Sequence, residues 1–159
     1  MIHNEIALYK LTMKNIFFLA KTLFFCLFVI TNTTAKQSNY LDKGIELFKK
    51  KEFDKSKILF ERDLVFNPKN EESYLYLAKI FHEKKNDEEE EINLNNVLIL
   101  NPQNDQAIYM LTLLKIKQSD YNKAKDLIEQ FVLVCKSFCS KKDEIQKKFA
   151  KLTPEDEKK

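Results

Sequence analysis

The chain is 159 residues long, carries a formal net charge of +3, and contains one glycine, Gly44, with three prolines. Sheet-rich folds place Gly and Pro in their tight turns, and phosphate-cradling loops need Gly so that the backbone can approach the anion. This composition therefore argues against a β architecture and against a Rossmann or P-loop enzyme, and the abundant Leu, Lys, Glu and Ile favour helix. Without the three lysines and one glutamate of residues 1–35, 24 Lys+Arg stand against 23 Asp+Glu. Arg62 is the only arginine. Arg is the usual bidentate reader of bases and phosphates, so nucleic-acid binding is disfavoured.

Residues 1–35 form an N-terminal extension ending in a secretory signal peptide. Lys14 supplies the positive start, Leu23 to Ile30 the apolar run, and Thr33-Thr34-Ala35 the small residues of a cleavage site. The segment from Met13 is a complete leader, which makes Met13 the expected true start. The alternative is a retained inner-membrane anchor. Against it, Ile16 to Ile30 falls short of the roughly 20 apolar residues of a spanning helix, and Lys21 interrupts the stretch. Phe24-Phe25-Cys26 is not a lipoprotein box, because the residues before the cysteine are large.

Beyond the leader, the sequence repeats. Asn67-Pro68-Lys69-Asn70 returns 34 residues later as Asn101-Pro102-Gln103-Asn104. Tyr40, Gly44, Leu47, Ser56, Phe60 and Pro68 share offsets with Tyr74, Ala78, Phe81, Glu90, Leu94 and Pro102. In a third unit Ile108, Leu111, Thr112, Ala124 and Ile128 take the corresponding places, Lys115 and Lys136 replace the second aromatic and the proline, and Tyr121 matches Phe53. The pattern resembles the tetratricopeptide repeat (TPR), whose signature is an aromatic, a Leu-Gly pair, a second aromatic, then Ala, Phe and a closing Pro. The resemblance covers about residues 37–138.

It implies an all-α helix-turn-helix solenoid, a TPR domain over residues 36–152 with repeats at about 37–70, 71–104 and 105–138. Helices A are expected at about 39–50, 71–84 and 105–118, and helices B at about 54–66, 88–100 and 121–135. Small residues belong where A and B cross: Gly44, Ala78 and Thr112 on A, Ser56 and Ala124 on B. Glu90 is out of place there and is expected either to snorkel outward or to loosen the crossing. Pro68 and Pro102 stop helix B. A capping helix at about 141–152 presents Ile145, Phe149 and Leu152 on one face, with Ser140 and Asp143 as a capping box. It shields the last repeat, as a solenoid requires. Residues 153–159 read as a disordered charged tail.

No catalytic set is present, and no cofactor or metal is expected. His3 and His82 are the only histidines. His82 falls on a helix A with no nucleophile pattern around it, and no histidine pair or Cys-x-x-Cys has metal-ligand spacing. The acidic run Asp87–Glu91 lacks the alternating ligands and the Gly of a calcium loop. It suits the N-terminus of a helix, where acids complement the macrodipole. Cys135 and Cys139 are a candidate disulfide. An unbroken helix would hold their side chains apart, but a turn is expected between the third B helix and the cap, and an exported protein meets oxidising conditions. Free, partly buried thiols are the other reading, and the spacing is not that of a redox enzyme.

In the TPR family, helices A line a concave groove that receives a peptide or a partner's helix. The resemblance places Leu41, Ile45 and Phe48, then Leu75, Lys79 and His82, then Tyr109, Leu113 and Ile116 in that groove. The expected function is a non-catalytic adaptor or scaffold, exported and periplasmic in a bacterial cell. It would bind a protein or peptide through an apolar groove with Lys79 and His82 as its polar centre. A membrane-anchored structural subunit of an envelope complex is the alternative. Three repeats are near the minimum for an autonomous stack, so self-association is also compatible with the sequence.

Overall fold

The computed structural model describes residues 39–152, together with Lys21. The expected leader and charged tail lie outside the described residues. Seven α-helices and one short 3-10 turn make up the described residues, with no strand among them. They are α1 (Tyr40–Lys49), α2 (Phe53–Phe66), α3 (Glu71–Glu83), α4 (Asp87–Leu100), α5 (Asp105–Lys117), α6 (Tyr121–Val134) and α7 (Lys142–Leu152), with the 3-10 turn at Cys139–Lys141 before α7. Each odd helix packs most extensively on the helix that follows it, giving the hairpins α1–α2, α3–α4 and α5–α6; α2 and α4 then contact the next hairpin, and α7 rests on α5 and α6.

The hairpins close because small residues meet large ones. Gly44, Ser56, Ala78, Thr112 and Ala124 are all buried. A Cβ added to Gly44 would lie 2.7 Å from Cε1 of Phe60 and 3.0 Å from its Cδ1 and Cζ, so the aromatic ring occupies the space that a side chain would need. The Ser56 hydroxyl donates to the Gly44 carbonyl at 2.8 Å, which satisfies a polar group in a fully buried crossing.

The loops inside the hairpins repeat as faithfully as the helices. Lys51, Lys85 and Ser119 have φ of 60°, 56° and 61°. In each, the next N–H reaches back to a carbonyl five residues earlier: Glu52 to Leu47 at 3.0 Å, Asn86 to Phe81 at 3.0 Å, and Asp120 to Lys115 at 2.9 Å. This is a Schellman closure, made here without glycine. The next helix starts at once, capped by the side chains of Asn86 and Asp120 on the N–H groups of Glu89 and Lys123.

The junctions between hairpins use the Asn-Pro-x-Asn turns. Asn70 and Asn104 accept from the N–H groups of Glu72 and Ala107 and so cap α3 and α5. At the first junction the buried Asp63 carboxylate accepts from Asn67 at 3.1 Å, Asn70 at 2.6 Å and Ser73 at 2.7 Å. At the second, the equivalent positions are Val97 and Ala107, both 0% exposed, so the polar knot gives way to apolar packing.

The third unit ends differently because Lys136 stands where the proline was. The backbone there keeps its donors, and one oxygen of Asp105 accepts from Lys136, Ser137 and Phe138 at 2.7, 2.6 and 2.9 Å. Burial works to raise the Asp105 pKa, but these three N–H groups, together with that of Gln106, outweigh it and hold the carboxyl below its ordinary range. Cys135 and Cys139 bracket this turn in a disulfide with a Cα–Cα separation of 5.2 Å. The break after Val134 is what brings the two side chains together. Ser140 lies within the 3-10 turn, and α7 anchors through Ile145, which is 0% exposed.

Two outcomes follow for stability. Gly44→Ala is expected to cost about 1–3 kcal/mol by overpacking. In the double variant Gly44→Ala, Phe60→Leu, which copies the Ala78 and Leu94 of the second unit, about 1 kcal/mol or more is recovered relative to the sum of the single changes. Urea titration of the four proteins measures this, and strictly additive losses would show that the ring is not what the new methyl meets. Reduction of Cys135–Cys139, or Cys135→Ser with Cys139→Ser, should lower stability by up to about 2 kcal/mol, the chain-entropy value for so short a loop. Thermal melts with and without reductant check it, with the serine variant insensitive to the reductant.

Candidate functional site

The surface of interest is the side of the stack formed by α1, α3 and α5. Of the residues expected to line it, Leu41, Ile45 and Phe48 are half-buried and rest on a core cluster of Phe60, Leu77, Ile80 and Phe81. Phe48 meets Tyr76 edge-on at 5.1 Å, and Tyr76 stacks on Phe60 at 5.0 Å. Lys79 lies along this aromatic ledge with its Nζ 4.6 Å from the centre of the Tyr76 ring, a cation–π contact. Burial lowers the Lys79 pKa, and Glu72 partly opposes that.

Leu75, Tyr109 and Ile116 belong to the second core cluster and are 8%, 9% and 3% exposed. They contribute packing more than surface. Tyr109 is committed to the cap: its ring lies 6.1 Å from Phe131 and 5.9 Å from Phe138, and its hydroxyl donates to Glu144 at 3.0 Å. Burial and that hydrogen bond raise its pKa. Glu144 is held below its ordinary value by Lys141 first and Tyr109 second.

Between α3, the start of α4, α5 and α7 the cap leaves an open pocket of about 830 Å3. Leu113, Leu114, Ile116 and Leu152 supply apolar surface, and His82, Glu90, Lys117 and Lys148 supply polar groups. Leu152 is 52% exposed, so part of this apolar lining faces water. His82 thus joins Leu113 and Ile116 in one place, whereas Leu41, Ile45 and Phe48 line the other end. That Lys148 and Leu152 line this pocket is not legible in the sequence, which places Leu152 only on the apolar face of the cap, because their position depends on how α7 folds back over the stack.

Glu90 corrects an expectation. It neither snorkels nor loosens the crossing. It is 2% exposed, and His82 Nδ1 lies 3.0 and 3.1 Å from its two carboxylate oxygens. Its position in the register, which holds Ser56 and Ala124 in the other units, points it inward, and the imidazole reaches over to cover it. Burial raises the Glu90 pKa, and the contact with His82 only partly reverses the shift. Lys115, which stands where Phe81 does in the previous unit, likewise finds a partner by bonding Glu91 at 2.5 Å. Among the described residues no buried side-chain oxygen or nitrogen lacks a hydrogen-bond partner, and no group of three or more His, Cys, Asp or Glu is arranged to hold a metal ion.

Comparison with solved structures settles the architecture. The first TPR domain of Spaghetti (RPAP3), solved bound to the HSP90 peptide SRMEEVD, superposes with a TM-score of 0.64 at 18% identity, over 71% of this chain and 90% of that one. This chain has the tetratricopeptide-repeat fold. The Sgt2 TPR domain from Aspergillus fumigatus matches with a TM-score of 0.62 at 17% identity, over 74% of this chain and 82% of that one. A chain of the CopN–Scc3 complex matches with a TM-score of 0.62 at 14% identity, over 75% and 72%. No protein-family model matches the sequence, and no curated protein does.

The Glu90 contact has a pH signature. Because burial raises its folded pKa above the ordinary 4.5, the stability tied to protonated Glu90 is fully present below that value and is lost as pH rises through the folded pKa. Glu90→Gln should therefore be the more stable protein at pH 7–8, with the advantage vanishing as pH falls below about 4. Melting temperatures of the two proteins across this range test it, and a constant difference at all pH values would assign the effect to packing alone.

Proposed function

We propose that this protein is an exported, non-catalytic adaptor that docks a partner's helix or extended peptide along α1, α3 and α5. The pocket between α3, α5 and α7 carries this reading. An apolar lining with a few convergent polar groups is the usual chemistry of a peptide-anchoring site. The aromatic ledge of Phe48 and Tyr76, with Lys79 across it, offers a second foothold on the same side. The Spaghetti TPR domains solved with an HSP90 peptide give the fold a precedent for peptide docking. They do not dictate the peptide, since their identity to this chain is only 18% and 17%.

Export is supported by the leader-like composition of residues 13–35 and by the Cys135–Cys139 disulfide, a bond that persists in oxidising compartments. No helix among the described residues is long and apolar enough to cross a membrane. The membrane-anchored alternative rests on retention of residues 16–30, and the mass of the protein recovered from native cells separates the two: a mature start near residue 36 favours the exported adaptor.

A photo-crosslinking amino acid placed at position 79 or 113 should capture the same partner in native cells, whereas the same group at position 69, in the turn between hairpins, should not. Leu113→Glu should weaken that capture by about tenfold, the loss of one anchoring contact, with an unchanged circular dichroism spectrum. Equal capture from position 69, or full capture by Leu113→Glu, would move the docking surface elsewhere.

A further inference from the structure

The cap helix is held to the stack by few side chains. At 11 residues α7 is shorter than a helix that persists alone in water, so its structure depends on docking. Ile145 is the one residue of α7 that the stack fully buries. The Tyr109 hydroxyl reaches Glu144 at 3.0 Å, and Phe149 meets Tyr121 edge-on at 6.3 Å. The rest of the last two turns, Gln146 to Lys148 and Ala150 to Leu152, is exposed. An element with so little buried surface belongs to the low-stability end of a fold.

The turn that delivers α7 supplies further anchorage, and that anchorage lies inside the ring closed by Cys135 and Cys139. The N–H groups of Lys136, Ser137 and Phe138 converge on one oxygen of Asp105, and the Phe138 ring lies against Tyr109 at 5.9 Å. Three successive donors can meet one acceptor only where the backbone is tightly curled, and the disulfide closes that curl covalently. Its two ends are unequally placed. Cys135 is half-buried against the core, whereas Cys139 is exposed. A disulfide sealed in a core resists exchange, but this one is open to thiols from the Cys139 side.

We propose that Cys135–Cys139 is a redox latch on the cap, and that a dithiol reductant opens it and releases α7 from the stack. A thiolate of the reductant attacks Sγ of Cys139, the S–S bond breaks, and Cys135 leaves as a thiolate that takes up a proton. The second thiol of the reductant then displaces Cys139, which is protonated in turn, and the reductant departs as a disulfide. Two electrons and two protons have passed from the dithiol to the cysteines. Without the covalent ring the turn gains conformational freedom, and the few contacts of α7 no longer hold it. Release withdraws Lys148 and Leu152 from the pocket beneath the cap and uncovers Tyr109. The oxidised chain is then the binding form and the reduced chain the idle one, a consequence that alone rests on the docking reading above.

Backbone NMR of the full chain is the test, with Cys26→Ala in every sample so that Cys135 and Cys139 are the only cysteines. In the oxidised protein the carbon shifts of residues 142–152 should be helical. Dithiothreitol should move them to random-coil values while α1 to α4 keep their shifts. The docked-to-undocked ratio of α7 should drop by about ten- to thirtyfold, the range that closing so short a loop supplies. Oxidised glutathione, added after the reductant is removed, should restore the helical shifts. Cys135→Ser with Cys139→Ser should show the undocked spectrum with or without dithiothreitol. Helical shifts over residues 142–152 in the reduced chain overturn the proposal. Loss of every helix together on reduction also overturns it, since the bond would then staple the whole fold and not the cap. Release of α7 with unchanged partner capture from position 113 would leave the latch standing and strike the docking reading alone.

Discussion

Everything in this stack depends on how closely the two helices of a hairpin approach at their crossing. In the first hairpin the contact is set by Gly44 against Phe60, sixteen residues on, and the same two positions hold Ala78 and Leu94 in the second unit and Thr112 and Ile128 in the third. From the first unit to the second, the residue on helix A gains a methyl group and its counterpart shrinks from an aromatic ring to an aliphatic side chain. The combined volume is kept roughly constant, which is the condition for tolerated change in a close-packed interior. Without a Cβ at residue 44 the first hairpin can seat a phenyl ring against bare backbone. The conformational cost of Gly in a helix, about 1 kcal/mol, is offset by burying that ring, worth about 1.5–3 kcal/mol.

Given equal crossings, the hairpins stack, and the stack then tolerates very different chemistry between them. The first junction is knotted by Asp63, the second is apolar at the equivalent Val97, and the third is closed by Asp105 gathering three N–H groups. These are three solutions to one requirement, that every donor and acceptor removed from water find a partner. The third solution is possible because Lys136 replaces proline. A proline there would have removed one of the donors that Asp105 collects, and the cap would have lost part of its anchorage.

This division explains what could be read from the sequence. Repeat length, helix order, the crossing residues and the helix-stopping turns are all local or strictly periodic, and they were legible from the spacing of Gly44, Ala78, Pro68 and Pro102. The hairpin loops were less so. Lys51, Lys85 and Ser119 adopt left-handed backbone at φ near 60° although none is Gly or Asn, and a non-Gly residue bears roughly 1–2 kcal/mol for it. The stack over-determines the turn, so the usual residue signal is absent. Glu90 was misread for a related reason. Its position in the register is a buried one, but the imidazole that shields it comes from a different helix, and only the fold puts His82 within 3.0 Å. The groove was legible as a set of A-helix positions. How much of it α7 covers was not, because the cap meets α5 through Tyr109 and Glu144, thirty-five residues apart.

A solenoid of three hairpins has two long sides, and each is used differently by the sequence. The α1, α3 and α5 side changes character along its length, from an aromatic ledge to a mixed pocket beneath the cap, as a surface does when it must recognise something unlike itself. The opposite side repeats Val65, Ile99 and Leu133 with almost unchanged exposure.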